Sequence, residues 1–469
     1  MKAGAVNLSS INLGRLRMDG KYHLSEAQLV KKRIASSPYP LYFIGDVTER
    51  IWHAGRWKRV YVNNPKTGIT LVGSSAMLKG DLSKEKLVSL KYTEEISDKI
   101  LQAGWTLISC SGTIGNCAFT NAQHAGKLAS QHVIRLKPNN ILGAGAIYAY
   151  LASKYGYVML TQGTSGSVIQ HIEPENISQI PIPNFPKEFQ KEVDVRIQKS
   201  ASLREEAADE LHAAERLLKE KAGLRDLTSD DYDYFGPRSY QRQVNTFTRN
   251  IQEIGTISFN AFNHSKRIER IKDLISVPTK PLKDILIGEN TFSTGSFPRL
   301  EVKEPHGIML INQSDIFDTI IKGKHISLRN VNTSNLVEYG EVMVAGVGTL
   351  GENETFCRTI FANEDLVGQL VSGEFIRMKT KSNMPSGYLF TWLSSDYGFR
   401  LIRSIQAGTK LCRPIPKLIL DLPVPDLSDL DMKEIDGMVR EAHTKRHEAN
   451  RLELEAIKMV EDEIEKWNK

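Results

Sequence analysis

One stretch of this chain is written twice, and the repeat limits the fold more than any local propensity does. Residues 105–183 and 342–425 carry the same motifs in the same order. TLISCSGTIGNCAF stands against VMVAGVGTLGENETF, and HVIRLK against EFIRMK. IYAYLASKYGYVML stands against LFTWLSSDYGFRLI, and IPIP against LPVP. Gly112 and Gly348 are 236 residues apart; Arg135 and Arg377, Leu151 and Leu393, and Pro181 and Pro423 are each 242 apart.

The repeat reaches further upstream. INLGRLRMDGKYHL (11–24) resembles IQEIGTISFNAFNH (251–264), and GITLVGSSAML (68–78) resembles GIMLINQSDIF (307–317). Short β-rich runs broken by Gly and Pro fill both halves up to IPIP and LPVP. The aromatic and leucine spacing of 144–160 and 387–402 predicts one buried helix in each half.

After each Pro-x-Pro motif the texture changes. Residues 187–222 contain no Pro and no Gly. Phe189, Val193, Ile197, Ala207, Leu211, Ala214 and Leu218 recur mostly at steps of three, four or seven. Ile435, Met438, Ala442, Ala449, Leu452, Ala456 and Met459 do the same in 430–467. These are coiled-coil features, and a lone helix of such length cannot bury its stripe. Pairing the two helices is the simplest solution, and the repeat makes the pair antiparallel. Ile197, Leu211, Leu218, Ile435, Ala442 and Leu452 are the expected seam. A second stripe on the last helix, Ile457, Val460, Ile464 and Trp467, is expected to serve another chain. The expected fold is α+β, with two repeated mixed α/β domains (1–186 and 251–427). Each is followed by a long helix (187–224 and 428–469), and a polar linker spans 225–250.

With 469 residues, 41% of them hydrophobic and 25% charged, the chain is expected to be a soluble globular protein with more than one core. No apolar run reaches membrane-spanning length, and MKAGAVNLSSINLGRLR lacks the apolar stretch of a secretory signal, so a cytoplasmic location is expected. The four cysteines, Cys110, Cys117, Cys357 and Cys412, are too few and scattered for a disulfide framework. None are spaced as CxxC, so no zinc site is expected and no metal ligand is assigned. A net charge of +6 permits a nucleic-acid partner.

Catalytic motifs are missing. There is no GxxxxGK[ST] phosphate loop, no glycine-rich cofactor fingerprint after a strand, and no Asn-Pro-Pro-Tyr or Asp-Pro-Pro-Tyr of amino-methyltransferases. Glu301-Val302-Lys303 has the E-x-K form of metal-dependent nucleases but no convincing upstream Pro-Asp. It leaves one enzymatic alternative, a stand-alone DNA endonuclease using Glu301 and Lys303.

Binding features are richer. In SGTIG and VGTLG a strand runs into two glycines flanking Thr, a turn that can present Ser111, Thr113, Thr349 or backbone N–H groups to phosphate. QGTSGS, with Thr164, and AGTKLCR, with Lys410 and Arg413, form a later Gly-Thr loop in each half. Arg56, Lys58 and Arg59 flank Trp57, and Arg299 marks the weaker basic run of the second half. Ser74 and Gln313 occupy matching places, and His132 stands opposite Glu374. Such side chains suit phosphates and base edges.

The order strand–GTIG, IRLK, aromatic helix, Gly-Thr loop, IPIP and long helix, given twice, resembles the specificity subunit of type I restriction-modification systems. The resemblance covers essentially the whole chain. It implies two target recognition domains spaced by an antiparallel coiled coil, with no catalytic site in this chain. It also implies double-stranded DNA as ligand and two methyltransferase subunits as partners, which motor-nuclease subunits can join. S-adenosylmethionine, and ATP and Mg2+ where a motor is present, are then expected in those partners. QAGTKLCRPIP replaces QGTSGSVIQHI, so the two halves are expected to contact DNA differently.

Overall fold

The computed structural model describes residues 26–161, 171–228, 231, 248–255 and 257–468. Thr164 with the rest of QGTSGS, the 11–24 segment and part of the 225–250 linker lie outside them. Two compact units are present, Met1–Glu205 with Glu448–Lys469, and Glu206–His447.

Unit 1 opens with α1 (Glu26–Ala35), β1 (Leu41–Phe43), β2 (Thr48–Trp52), β3 (Tyr61–Val62), β4 (Gly68–Val72), β5 (Leu87–Ser89) and α2 (Ile96–Lys99). It continues through β6 (Thr106–Ser109), β7 (Cys117–Phe119), β8 (Leu128–Ala129) and β9 (Val133–Pro138). Then come α3 (Ala144–Ala152), α4 (Lys154–Thr161), α5 (Pro174–Ser178), β10 (Pro181–Pro183) and the first part of α6 (Lys187–Lys221). One sheet has the order β2-β9-β6-β7 and is antiparallel throughout; another runs β3-β5-β4-β8, with β4 and β8 parallel. β1 pairs with β10, so the IPIP motif is itself a strand.

Unit 2 takes the rest of α6, then α7 (Lys266–Asp273), β11 (Thr279–Pro281), α8 (Leu282–Ile285), β12 (Ile308–Ile311), β13 (Lys324–Ile326), β14 (Val342–Ala345) and β15 (Thr359–Phe361). β16 (Leu370–Val371), β17 (Phe375–Met378), α9 (Ser386–Ser394) and α10 (Asp396–Ser404) follow. β18 (Gln406–Ala407), β19 (Arg413–Pro414), α11 (Pro416–Ile419), β20 (Pro423–Pro425) and α12 (Asp429–Glu465) complete the order. β14 lies between β15 and β17, both antiparallel; β12 has β13 antiparallel on one side and β16 parallel on the other. β11 pairs with β20, the LPVP strand.

The single buried helix expected in each half is two helices, broken at Ser153 and at Ser395. Both serines are extended, with ψ of 161°. Each hydroxyl accepts the N–H of a glycine three residues on, Gly156 or Gly398, at 3.2 Å. Those glycines let the second helix fold back closely, since a Cβ would stand 2.1 Å from the Tyr150 carbonyl oxygen or 2.2 Å from that of Trp392. The aromatics of the first helix anchor the Pro-x-Pro strand: Tyr150 Oη donates to Pro181 O at 2.7 Å and Trp392 Nε1 to Pro423 O at 2.9 Å.

The arginines of IRLK and IRMK are wholly buried. Arg377 makes a two-pronged ion pair with Glu341 (Nε–Oε2 2.8 Å, Nη2–Oε1 2.9 Å) and lies over Phe292. Trp105 stands in place of Glu341 in the first half, so Arg135 has no carboxylate there. It donates to Ala129 O at 2.6 Å and lies over Trp52, and burial pushes its pKa down to about 10.

Each long helix contributes to both units. In unit 1, Val193, Ile197 and Ala201 of α6 share a core with Ala456, Val460 and Ile464 of α12. In unit 2, Ala214 and Leu218 share one with Met432, Ile435 and Val439. Of the expected seam, Ile197, Leu218, Ile435 and Ala442 are buried, and Leu211 and Leu452 are half-buried. The stripe expected to serve another chain is a correction. Val460 and Ile464 are fully buried in the unit 1 core, and Ile457 and Trp467 pack against it, so this chain itself covers them.

Candidate nucleic-acid interface

In unit 1 the turn after β6 is closed by its own backbone. Gly115 N donates to Ser109 O, Ser109 N to Asn116 O, and Ser109 Oγ to Thr113 O at 2.7 Å. Gly112 and Gly115 have φ of +77° and +82°, which only glycine adopts without strain. Thr113 is left exposed at the tip. Ser111 Oγ lies 2.5 Å from His132 Nδ1, so two candidates far apart in sequence meet. Cys110 N donates to His132 O and Ile172 N to Cys110 O, which lays 131–132 and 171–173 beside the turn.

The basic loop reaches the same place. Arg59 Nη2 donates to Gln131 Oε1 at 2.6 Å and lies over Trp57, while Arg56 and Lys58 are exposed. Burial, then the positive fields of Arg59, His171 and Arg56, lower the pKa of His132. A neutral imidazole beside cations gives a surface that favours an anion. Ser74 is half-buried just beyond the end of β4.

Unit 2 uses the corresponding turn differently. Gly348 and Gly351 do not have positive φ; they are small because side chains press on them. A Cβ would meet Phe356 Cβ at 2.9 Å and Glu354 Cγ at 2.7 Å. Gly348 pairs through its backbone with Cys412, at 3.1 and 2.7 Å, so the β18–β19 hairpin lies against the glycine turn. This brings exposed Thr349 together with exposed Lys410 and Arg413. Gln313 is not a free reader. Its amide is buried and spent on both backbone groups of Val347 (2.8 and 3.1 Å), where it fixes the base of the turn. Arg299 is exposed over Phe297.

Sequence reasoning passed over two arginines. Arg400 makes a two-pronged pair with Glu352 (3.2 and 2.9 Å), and Arg403, fully buried, donates to Gly351 O at 3.2 Å. Only the fold-back at Ser395 aims these α10 positions at the turn. It also passed over His53, His171 and Glu173, whose ligand atoms lie within 4.8 Å of one another. The nuclease alternative gains no support: Glu301 engages Lys324 Nζ at 2.5 Å on the exposed surface, and among the described residues no metal-ligating cluster includes it. No helix among the described residues is long and apolar enough to cross a membrane.

No curated protein sequence matches the chain. Three solved structures resemble it at low identity. The S subunit of a type I restriction-modification system from M. genitalium is 12% identical, with 92% of this chain and 96% of that one covered and a TM-score of 0.36. The HsdS subunit from Thermoanaerobacter tengcongensis is 11% identical, with 91% and 97% covered and a TM-score of 0.27. A chain from a structure describing complex assembly and conformational transition of the type I R-M system is 11% identical, with 92% and 97% covered and a TM-score of 0.28. Residues 38–202 match the family described as Type I restriction modification DNA specificity domain. That span holds β1 to β10, the glycine turn, the basic loop and the start of α6. Over residues 38–202 the chain is therefore similar to the type I restriction modification DNA specificity domain family.

Proposed function

We propose that this chain is the non-catalytic DNA-specificity subunit of a type I restriction-modification complex. Its two halves each read one part of a bipartite double-stranded site. The observation that carries this reading is the family match over residues 38–202, the span in which Ser111, Thr113, His132 and Arg59 gather at one turn.

The second half is inferred to be a second recognition domain. Its strand pairings, its Ser395–Gly398 fold-back and its Pro-x-Pro strand follow those of the first. α6 and α12 are inferred to run antiparallel. In unit 2, Lys221 pairs with Asp431 at 2.9 Å and Glu206 with Lys445 at 3.4 Å, one number rising as the other falls. This pair of helices would set the spacer and dock two methyltransferase subunits, to which motor subunits can be added. S-adenosylmethionine, and ATP with Mg2+, would belong to those partners. Contacts to phosphates would position the chain and contacts to base edges would specify the sequence.

The test is methylome mapping with the assembled complex. Replacing Thr349, Lys410 and Arg413 together by Ala should relax one half-site and leave the other. Replacing Ser111, Thr113 and His132 should do the reverse. An assembled wild-type complex that neither shifts a DNA duplex nor methylates it would sink the reading.

A further inference from the structure

His53, His171 and Glu173 sit at the edge of the unit 1 face, and nothing in the recognition of DNA requires this trio. His53 Nε2 lies 3.4 Å from Glu173 Oε2, and His171 Nε2 lies 3.5 Å from Glu173 Oε1. Bound to zinc at about 2.0–2.2 Å in tetrahedral geometry, two ligand atoms stand roughly 3.3–3.5 Å apart. The two separations have that value, each to a different Glu173 oxygen. The three ligand atoms, one per residue, lie within 4.8 Å of one another, so a small closing of these side chains would bring them onto one ion.

His53 carries a second sign. Its Nδ1 is 2.9 Å from Ala54 O, a partner that can only accept. Nδ1 therefore holds the proton, and in a neutral ring the Nε2 lone pair faces the Glu173 carboxylate. A lone pair aimed at an anion needs a cation between them. A metal-ligating histidine is set in this way, its other nitrogen donating to a carbonyl.

We propose that His53, His171 and Glu173 form a three-ligand site for one transition-metal ion of the zinc class. Two imidazoles and one carboxylate suit Zn2+, Co2+ or Ni2+ and not Mg2+ or Ca2+, which take all-oxygen shells. Three protein ligands leave the fourth position to water. The ion would tie the start of the basic loop to the segment that runs beside the glycine turn, because His53 leads into Arg56 and Ile172 is bonded to Cys110. Ser293 and Arg413 stand at the places of His53 and His171 in the second half, so the site belongs to the first half alone.

The competing arrangement is a protonated His53 paired with Glu173, without metal. Titration of the full, untagged chain with Co2+ alone separates the two. One equivalent should bind with the strong visible absorption of four-coordinate cobalt. Zn2+ should bleach it, and excess Mg2+ should not. His171→Ala and Glu173→Gln change exposed side chains and should fold normally. Each should weaken binding by more than the roughly 10–100-fold that outer-shell partners cost. Absence of saturable one-to-one binding overturns the site, as does binding that survives both substitutions. Loss of DNA binding with cobalt binding intact would count against the functional reading and leave the metal site standing.

Discussion

Arg204 donates to the Glu453 carboxylate at positions where α6 and α12 otherwise bury apolar residues, and its second nitrogen donates to Asn450 Oδ1 at 2.8 Å. Glu453 also accepts from Tyr148 Oη at 2.5 Å, which links α3 to the same pair. Arg204 follows Val193, Ile197 and Ser200 at seam spacing, and Glu453 follows Ala449. A charged pair in a seam costs desolvation, and its best-attested use is to fix register.

Removing one partner leaves a buried charge. Glu453→Ala should cost about 3–5 kcal/mol. Arg204→Met with Glu453→Leu should recover most of that stability. Denaturant unfolding of the two variants checks both statements. Equal losses in the single and double variants would show that the pair is not coupled.

The aromatic helices are held by the long ones through a recurring contact. Asp194 Oδ1 accepts from Gly145 N at 2.6 Å, and Asp436 Oδ1 accepts from Gly387 N at 2.7 Å. Each aspartate satisfies a first-turn N–H that the helix cannot satisfy itself. Asp194→Ala and Asp436→Ala should each cost about 1 kcal/mol. Asn, which keeps the accepting oxygen, should restore most of it. Thermal unfolding reads the difference.

These aspartates are 242 residues apart, as are Gly145 and Gly387, so the repeat that shows in the sequence carries the contacts that hold each half together. Ser153 and Ser395 share that offset, yet helical periodicity masked their breaks, because the apolar spacing continues through them. Arg135 and Arg377 were legible as a matched pair but not as core residues, since an arginine in an alternating strand usually faces water. Arg204 and Glu453 were hidden for the same reason within a charged helix. His53 and Glu173 share no local pattern: His53 follows β2, and Glu173 follows Ile172, whose N–H is bonded to Cys110 O just beyond β6.

The exposed part of the basic loop is testable through salt. Replacing Arg56, Lys58 and Arg59 by Ala should weaken DNA binding by the assembled complex. It should also flatten log K against log salt by about 0.9 for each phosphate that is no longer neutralised. Arg59 is engaged with Gln131, so Arg56→Ala with Lys58→Ala should account for most of the change in slope. Filter binding across a salt series measures it, and an unchanged slope would return this loop to ordinary surface.

Unit 1 should weaken in mild acid. His124 is buried, with Nδ1 2.7 Å from Asn121 Oδ1. Burial, and then the Lys127 ammonium, push its pKa down to about 4. The unfolded chain takes up this proton near pH 6.5, whereas the folded chain resists until about 4. The contribution is therefore whole above about pH 6.5 and is lost as pH falls toward 4, by up to about 1.4 kcal/mol per unit. His124→Gln should remove that part of the pH dependence in urea unfolding between pH 7 and 4. A variant as acid-sensitive as the wild type would assign the loss to other groups.

The boundary between the units crosses α6 between Glu205 and Glu206 and α12 between His447 and Glu448. Insertion at these two points leaves the contacts inside each unit intact. One heptad added to each helix keeps the seam in phase and lengthens the pair by about 10.5 Å. Along B-DNA that is roughly three base pairs, at about 3.4 Å each. If the helices set the spacer, the complex should methylate a site with both half-sites unchanged and a spacer longer by about that amount. Heptad insertion in α6 alone leaves α12 without a matching insert, puts the two helices out of step across the boundary, and should yield little folded complex. Methylome sequencing of the double insertion decides the matter: the original spacer, retained at full activity, would mean that something other than α6 and α12 measures the distance.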